Sequence, residues 1–475
     1  MKTTKFLLTA ALALAFAACS NDDIDIQNSI QPAKAEGITI TAQLAPKSGG
    51  AATRKVTEGT GANANTIVAE WAVDETIAIL YKVNEENKKA VATVKSVDTT
   101  TGAATIGFTV DTNTANNTPC TLVYPSDAAK DDNSGIKGAA DLIGAQNGEL
   151  SAKLDIRVGT GTIQTSTPSL TVTTQPAAQF AIWKLTLKSG NSDLNAKKLL
   201  VNAGGVACNV TPASASNVLY VAVPAVAAGL VTMNATDGTD AYVYGKDGVT
   251  LEAGTYCRSE VTLTKVVPVD LGTAGKWANI NIGAYSAEQY GSFFAWGGTT
   301  GYSSASPVTD GRDLGWNSGC PFWVSGPSYK TAKFDKYIPT GKESNWGGTG
   351  APDNKLVLEA ADDAARQNWG SKWRMPTKAE FQALLDNTTR AWTTENGVSG
   401  YKFTKNGNSI FLPAAGFRNP TDVLNQGTKA LYWSSSLYSD TPTDAWYLDF
   451  NKDNANTLSN YRYFGQSVRA VYVGE

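Results

Sequence analysis

Histidine is missing from all 475 residues. That absence excludes imidazole general acid–base chemistry, Ser-His-Asp and Cys-His nucleophiles, HExxH zinc sites and every His-ligated metal centre. Methionine is scarce, at three residues, and charged side chains make up 17% of the chain. The net charge of −3 favours neither nucleic acid nor an anionic membrane surface. The cysteines are few and widely spaced, without a CxxC pair, which argues against a structural zinc site. What remains is rich in Thr, Ser, Asn, Gly and Ala, with 12 Trp and 18 Tyr. This is the composition of an exported, β-rich protein that offers a surface. At roughly 150 residues per domain the length predicts about three domains.

The first segment reads as an address. Lys2 and Lys5 precede an apolar run over 6–18 that is broken only by Thr9. It is too short to span a bilayer as a helix and has the shape of a signal-peptide core. It ends in Phe16-Ala17-Ala18-Cys19, which resembles the lipobox of bacterial lipoproteins. The resemblance implies a cut before Cys19 and acylation of that residue, so 1–18 is the signal peptide. Ser20-Asn21-Asp22-Asp23-Ile24-Asp25 resembles the surface-export signal of Bacteroidota lipoproteins, and 19–36 is unpatterned enough to be a flexible tether. Cys120, Cys208, Cys257 and Cys320 remain; four cysteines allow three pairings, and spacing does not choose among them.

From 37 to 265 short strands alternate with polar turns. Ile38, Ile40, Ala42 and Leu44 form one alternating set. Ile77, Ile79 and Tyr81 form another, followed by Ile106, Phe108 and Val110, then Leu170 and Val172. Trp183, Leu185 and Leu187 follow, then Leu219, Val221 and Val223, and last Val261 with Leu263. The strand count predicts two β-sandwiches joined near 165–175. Beyond 266 the composition changes, and ten of the 12 Trp lie there. Thr377 and Glu380 have capping-box spacing ahead of Phe381, Leu384 and Leu385, which predicts an amphipathic helix. A second helix is expected over 360–369, with Asp362 and Asp363 at its start. The region 266–475 therefore reads as an α+β domain.

Arg54 and the run Glu70-Trp71-Ala72-Val73-Asp74-Glu75-Thr76-Ile77-Ala78-Ile79-Leu80-Tyr81 resemble the fimbrillin family of Bacteroidales, lipoprotein precursors of fimbrial subunits. Val123-Tyr124-Pro125-Ser126 and Leu251-Glu252-Ala253-Gly254-Thr255-Tyr256 add to that likeness over 37–265. The resemblance implies two transthyretin-like β-sandwiches. It also implies a cut after Arg54 that removes the first strand and leaves a groove for a strand of another fimbrial subunit. The residue pattern alone leaves open that Arg54 is a plain surface arginine. The C-terminal half carries Trp277-Ala278-Asn279-Ile280-Asn281-Ile282-Gly283, Phe293-Phe294-Ala295-Trp296-Gly297 and Trp369-Gly370-Ser371-Lys372-Trp373-Arg374-Met375-Pro376. Further on come Tyr432-Trp433-Ser434-Ser435 and Gly465-Gln466-Ser467-Val468-Arg469. These resemble the Fibrobacter succinogenes major paralogous domain and imply a C-type-lectin-like fold over 266–475.

Chemistry is thin. The related formylglycine-generating site needs two cysteines, and this region holds only Cys320. Calcium needs six to eight oxygens, and no loop spacing collects Asp310, Asp313, Asp362 and Asp363. No flanking pattern singles out a carboxylate pair for glycosidase work. No catalytic residue, metal or cofactor is expected. Trp277, Trp296, Trp373 and Trp433 are expected in the core. Trp316 and Asn317, Trp323, and Asn345 with Trp346 lie in Gly- and Ser-rich loops, where aromatics beside amides suit a sugar face or a protein partner; the same tryptophans could instead fold back over their own loop. The reading is a surface-exposed outer-membrane lipoprotein, held by its lipid anchor and incorporated in fimbriae. As a non-catalytic fimbrial tip adhesin it would bind a glycan or a surface protein. The alternative is a non-polymerising glycan-binding lipoprotein of a nutrient uptake system, and a third class is an enzyme with an unrecognised site.

Overall fold

The computed structural model describes residues 37–47, 57–58, 67–302, 304, 314–348 and 352–474. Cys19 and Arg54 lie outside them, as do Asp310 and Asp313. The chain is mainly β, with a few short helices.

The first unit is a ring of seven strands. Gly37–Leu44, Ser169–Ala178, Arg157–Gln164, Thr118–Tyr124, Thr76–Val83, Glu86–Val97 and Ala104–Asp111 pair in that order, and the last returns to the first. The expected first sandwich therefore has its edges joined into a barrel. Alternation sets the faces: Ile40, Ala42 and Leu44 point inward, and Thr39, Thr41 and Gln43 outward. Gly37–Leu44 is antiparallel to Ala104–Asp111 along its whole length, from Gly37 opposite Asp111 to Leu44 opposite Ala104. Its other neighbour holds it through one parallel pair, Thr41 with Ser169. Ser169–Ala178 completes the ring, and Ala181–Ser189 belongs to the second unit.

The second unit is a sandwich. One sheet joins Val218–Val223, Ala181–Ser189 and Tyr256–Thr262; the other runs from Thr264–Lys265 through Ala241–Leu251, Val226–Thr236, Lys198–Ala203 and Val206–Val210 to Ala145–Gln146. Trp183, Leu185, Leu187, Leu199, Val201 and Val221 fill the space between them. The same cluster takes in Ala78, Leu80 and Val123 from the outer face of the barrel, so the two units share apolar packing. Thr57–Glu58 pairs antiparallel with Ile67–Val68 and meets the sandwich through Glu58. Its carboxylate meets Lys184 at 3.0 Å and Arg258 at 3.2 Å and accepts the Tyr256 hydroxyl.

The C-terminal region is built from small sheets. Its largest orders Phe293–Phe294, Gln466–Ser467, Lys429–Leu437, Asp444–Asn451 and Ala455–Tyr461. Val471–Tyr472 pairs with Lys276–Ala278, which ties the end of the region to its start. Thr377 caps the helix Lys378–Asn387 with both bonds of the capping box, and Phe381, Leu384 and Leu385 are buried. The expected 360–369 helix is split into a single turn, Ala360–Asp362, and the helix Ala364–Trp369. Asp363 caps the second part through Ala365 and Arg366 and also receives the Met375 N–H, at 2.9 Å, a use of the carboxylate that interrupts the helix.

Trp277, Trp296, Trp373 and Trp433 are fully buried, as expected. Three donate their indole N–H: Trp277 to Thr273, Trp296 to the Ser434 carbonyl and Trp433 to the Phe294 carbonyl. The C-terminal core also contains Ala241, Val243 and Val266 of the preceding sandwich. At that contact Gly370, at φ 96°, lies so near Gly238 that a Cβ would stand 2.7 Å from its carbonyl carbon. Val261, Leu263 and Val266 are buried, so the link between the two units is part of the core. None of the four described cysteines is bonded to another. Burial pushes the thiols of Cys120, Cys208 and Cys320 up to about 12, which leaves them inert.

Candidate ligand-binding surface

The loop 314–346 has little regular structure: a short pairing of Trp323–Ser325 with Lys333–Phe334 and one helical turn, Glu343–Trp346. Such a loop needs side chains of its own to hold it. Cys320, Ala332, Phe334 and Ile338 form a small buried cluster, and Trp316, Trp323, Trp346 and Tyr463 pack half-buried around it. The three tryptophans singled out from the sequence therefore belong to one cluster.

Their roles differ. Trp316 stands edge-on to Tyr463, Tyr461 and Phe334, with centroids 4.8, 5.5 and 5.8 Å away. Trp323 spends its indole N–H on the Gly326 carbonyl at 2.9 Å, which closes its own turn. Trp346 directs its N–H to the Tyr329 carbonyl at 3.4 Å, with the Lys342 ammonium 6.0 Å from its ring centre. Asn317 accepts the Gly319 N–H at 2.8 Å and so serves the turn. Asn345 is exposed; its carbonyl, with that of Ser344, receives the Lys333 ammonium.

Sequence reasoning missed Tyr329, Tyr461 and Tyr463. Tyr329 is 44% exposed and stacks on Tyr461 at 5.8 Å; Tyr461 in turn stacks on Tyr463 and Phe464. The resulting surface is a run of parallel rings beside Trp346, with Lys330 and Lys342 at its margin. Flat apolar faces next to polar groups suit stacking on a sugar ring or anchoring a partner's side chain. The available signal was the alternation Tyr461-Arg462-Tyr463, two aromatics turned one way and a cation the other.

Arg462 holds this surface in place. It is fully buried, with its guanidinium 4.5 Å from the Phe334 ring centre and 4.9 Å from that of Trp296. It donates to the Tyr337 carbonyl at 2.7 Å and the Lys336 carbonyl at 3.3 Å. Burial lowers its pKa to about 10, still far above neutrality, so it remains a cation. No group of three or more Cys, Asp or Glu poised for a metal occurs among the described residues.

Residues 314–472 match the family model of the Lcl C-terminal domain, and that span contains the whole aromatic surface. No curated protein matches the chain. Among solved structures, a fimbrial assembly protein from Parabacteroides distasonis is 12% identical at a TM-score of 0.28, covering 48% of this chain and 92% of that one. A fimbrial protein from Bacteroides ovatus is 10% identical at a TM-score of 0.25, covering 92% of this chain and 100% of that one.

Proposed function

We propose that this protein is a cell-surface adhesion subunit of a fimbrium, without catalytic activity. In this reading Cys19 carries the lipid that first anchors it in the outer membrane. A cut after Arg54 then removes the first strand, and a strand of another fimbrial subunit takes its place. The observation that carries the reading is the setting of Gly37–Leu44. It is one stave of a closed ring, its inward Ile40 and Leu44 are almost wholly buried, and a single bridge joins it to one of its neighbours. Withdrawing it would open an apolar slot flanked by strands, the geometry of donor-strand complementation. Glu58, held by Lys184 and Arg258, would keep the new N-terminus on the second unit.

Donation by this chain is unfavourable. The 261–269 link is paired to the sandwich and buries Val261, Leu263 and Val266, so freeing it would cost its ladder bonds and expose those three side chains. A subunit that accepts a strand and does not donate one ends a polymer. It therefore stands at the tip, and its C-type-lectin-like C-terminal region presents the rings of Tyr329, Tyr461 and Trp346 to a glycan or a surface protein.

The ligand half of this reading is tested by arraying the full-length protein on glycans and host-matrix proteins beside a Tyr329→Ala/Trp346→Ala double variant. Both rings lie at the edge of their cluster, so stability should fall by only about 1–2 kcal/mol, while binding falls at least about tenfold, as for loss of a hot spot. Equal binding by the variant would remove the aromatic surface from the account. The non-polymerising nutrient-uptake alternative predicts the same array result but no incorporation into fibres.

A further inference from the structure

Just beyond the first strand, Lys47 turns inward. Its side chain is 2% exposed, and its ammonium lies 3.2 Å from Glu75 and 3.3 Å from Asp155. The Tyr124 ring centre is 3.5 Å away and that of Trp71 4.3 Å. The two carboxylates of this cage have partners of their own outside the first strand. Tyr124 donates its hydroxyl to Glu75 at 2.6 Å, and Ala72 donates its N–H to the same carboxylate at 3.0 Å. Trp71 donates to the Ala45 carbonyl, and Arg157 pairs with Asp155 at 2.6 Å while also donating to the Lys47 carbonyl. Aromatic faces with carboxylates beyond them recognise an ammonium.

The charges decide what the cage requires. Glu75 and Asp155 are balanced by Arg157 and Lys47, and all four side chains are buried. Once Lys47 leaves, one buried negative charge has no counterion, a state far costlier than an exposed unpaired charge. Lys47 lies upstream of Arg54, so the cut proposed above would carry it away with Ile40, Ala42 and Leu44.

We propose that this cage is the selectivity element of the groove. It admits an incoming strand that brings a primary ammonium three residues beyond its last inward apolar side chain, the spacing from Leu44 to Lys47. The partner is then a subunit whose donor segment alternates apolar and polar residues, antiparallel to Ala104–Asp111, and ends in a lysine at that spacing. The apolar pockets supply affinity for any alternating strand, and the cage rejects those without the cation. An arginine is planar and larger than an ammonium, and so fits the space between Trp71 and Tyr124 less well.

This inference rests on the replaceable-strand reading, and the test separates the two. A protease site is placed within 48–56 of the full-length protein and cut, which leaves 37–47 held without a covalent link. Fluorescent peptides of sequence 37–47 are then exchanged in, as wild type and with Lys47→Met, and binding is followed by anisotropy. The wild-type peptide should enter and the Met peptide should bind at least about 100-fold more weakly, the scale of an orphaned buried charge. Glu75→Gln in the nicked protein should shrink that gap by neutralising the excess charge, a rescue that general damage to the barrel would not give. Entry of both peptides with equal affinity overturns the cage's role and leaves the groove standing. Entry of neither overturns the replaceable strand, and this inference with it.

Discussion

Replacing Arg462 with alanine is expected to detach the aromatic surface from the C-terminal core and to cost about 3–5 kcal/mol, the range for opening a buried charged network or a large cavity. The guanidinium fills the space between Trp296 and Phe334, and it alone donates to the carbonyls of Tyr337 and Lys336 in these bonds. Alanine leaves those carbonyls buried without a donor and the two rings facing a void. Hydrogen exchange should show the loss first in 332–338 and in Ala455–Tyr461, while the barrel strands keep their protection. Arg462→Lys should recover only part of it, because one ammonium cannot span both carbonyls and lie flat between two rings. A variant whose 332–338 protection matched wild type would show that Arg462 does not anchor the loop.

Ile40→Asp is expected to open the barrel at the first strand. Ile40 is 0% exposed, and its inward neighbours in the cluster include Ile106, Phe108 and Leu122. A carboxylate there would stand among apolar side chains, so the substitution should destabilise the barrel by about 4 kcal/mol or more. The partner strand Ala104–Asp111 should lose exchange protection along its register with Gly37–Leu44. The inner cluster of the second sandwich, around Leu199 and Val221, should hold. Thr41→Val faces outward on the same strand and should change stability by less than about 1 kcal/mol. Equal effects at both positions would mean that alternation does not govern this strand.

Local chemistry was legible in the sequence. Alternation located the barrel and sandwich strands because most of them bury one face more than the other, and the Thr377/Glu380 spacing marked a helix whose cap is satisfied as expected. The central tryptophans were legible because large indoles in Gly-flanked strings have few places to go except the core. What stayed hidden depends on distant partners. Closure of the barrel rests on Thr41 meeting Ser169, and no local pattern encodes that register. Lys47 follows Ala45-Pro46 and reads as a polar linker until Glu75, Tyr124 and Asp155 come together around it. Arg462 and Arg469 are read as surface residues by type, and only carbonyls supplied from remote segments make their burial tolerable. For the candidate surface, the loop tryptophans drew attention to the right region. Its rings were supplied in part by Tyr461, at the end of the strand Ala455–Tyr461, and by Tyr463 just after it, more than a hundred residues downstream of Trp346.

The central claim is that the first strand is exchanged and that the chain then ends a fibre. Mass spectrometry of fibres sheared from cells tests both parts in one measurement, by mapping the N-terminal peptide of this protein and its abundance relative to the most abundant shaft subunit. The account predicts a chain that starts at Lys55, lacks 37–47, and is present at far less than one copy per shaft subunit. A chain that still begins at acylated Cys19, or one as abundant as the shaft, would contradict it.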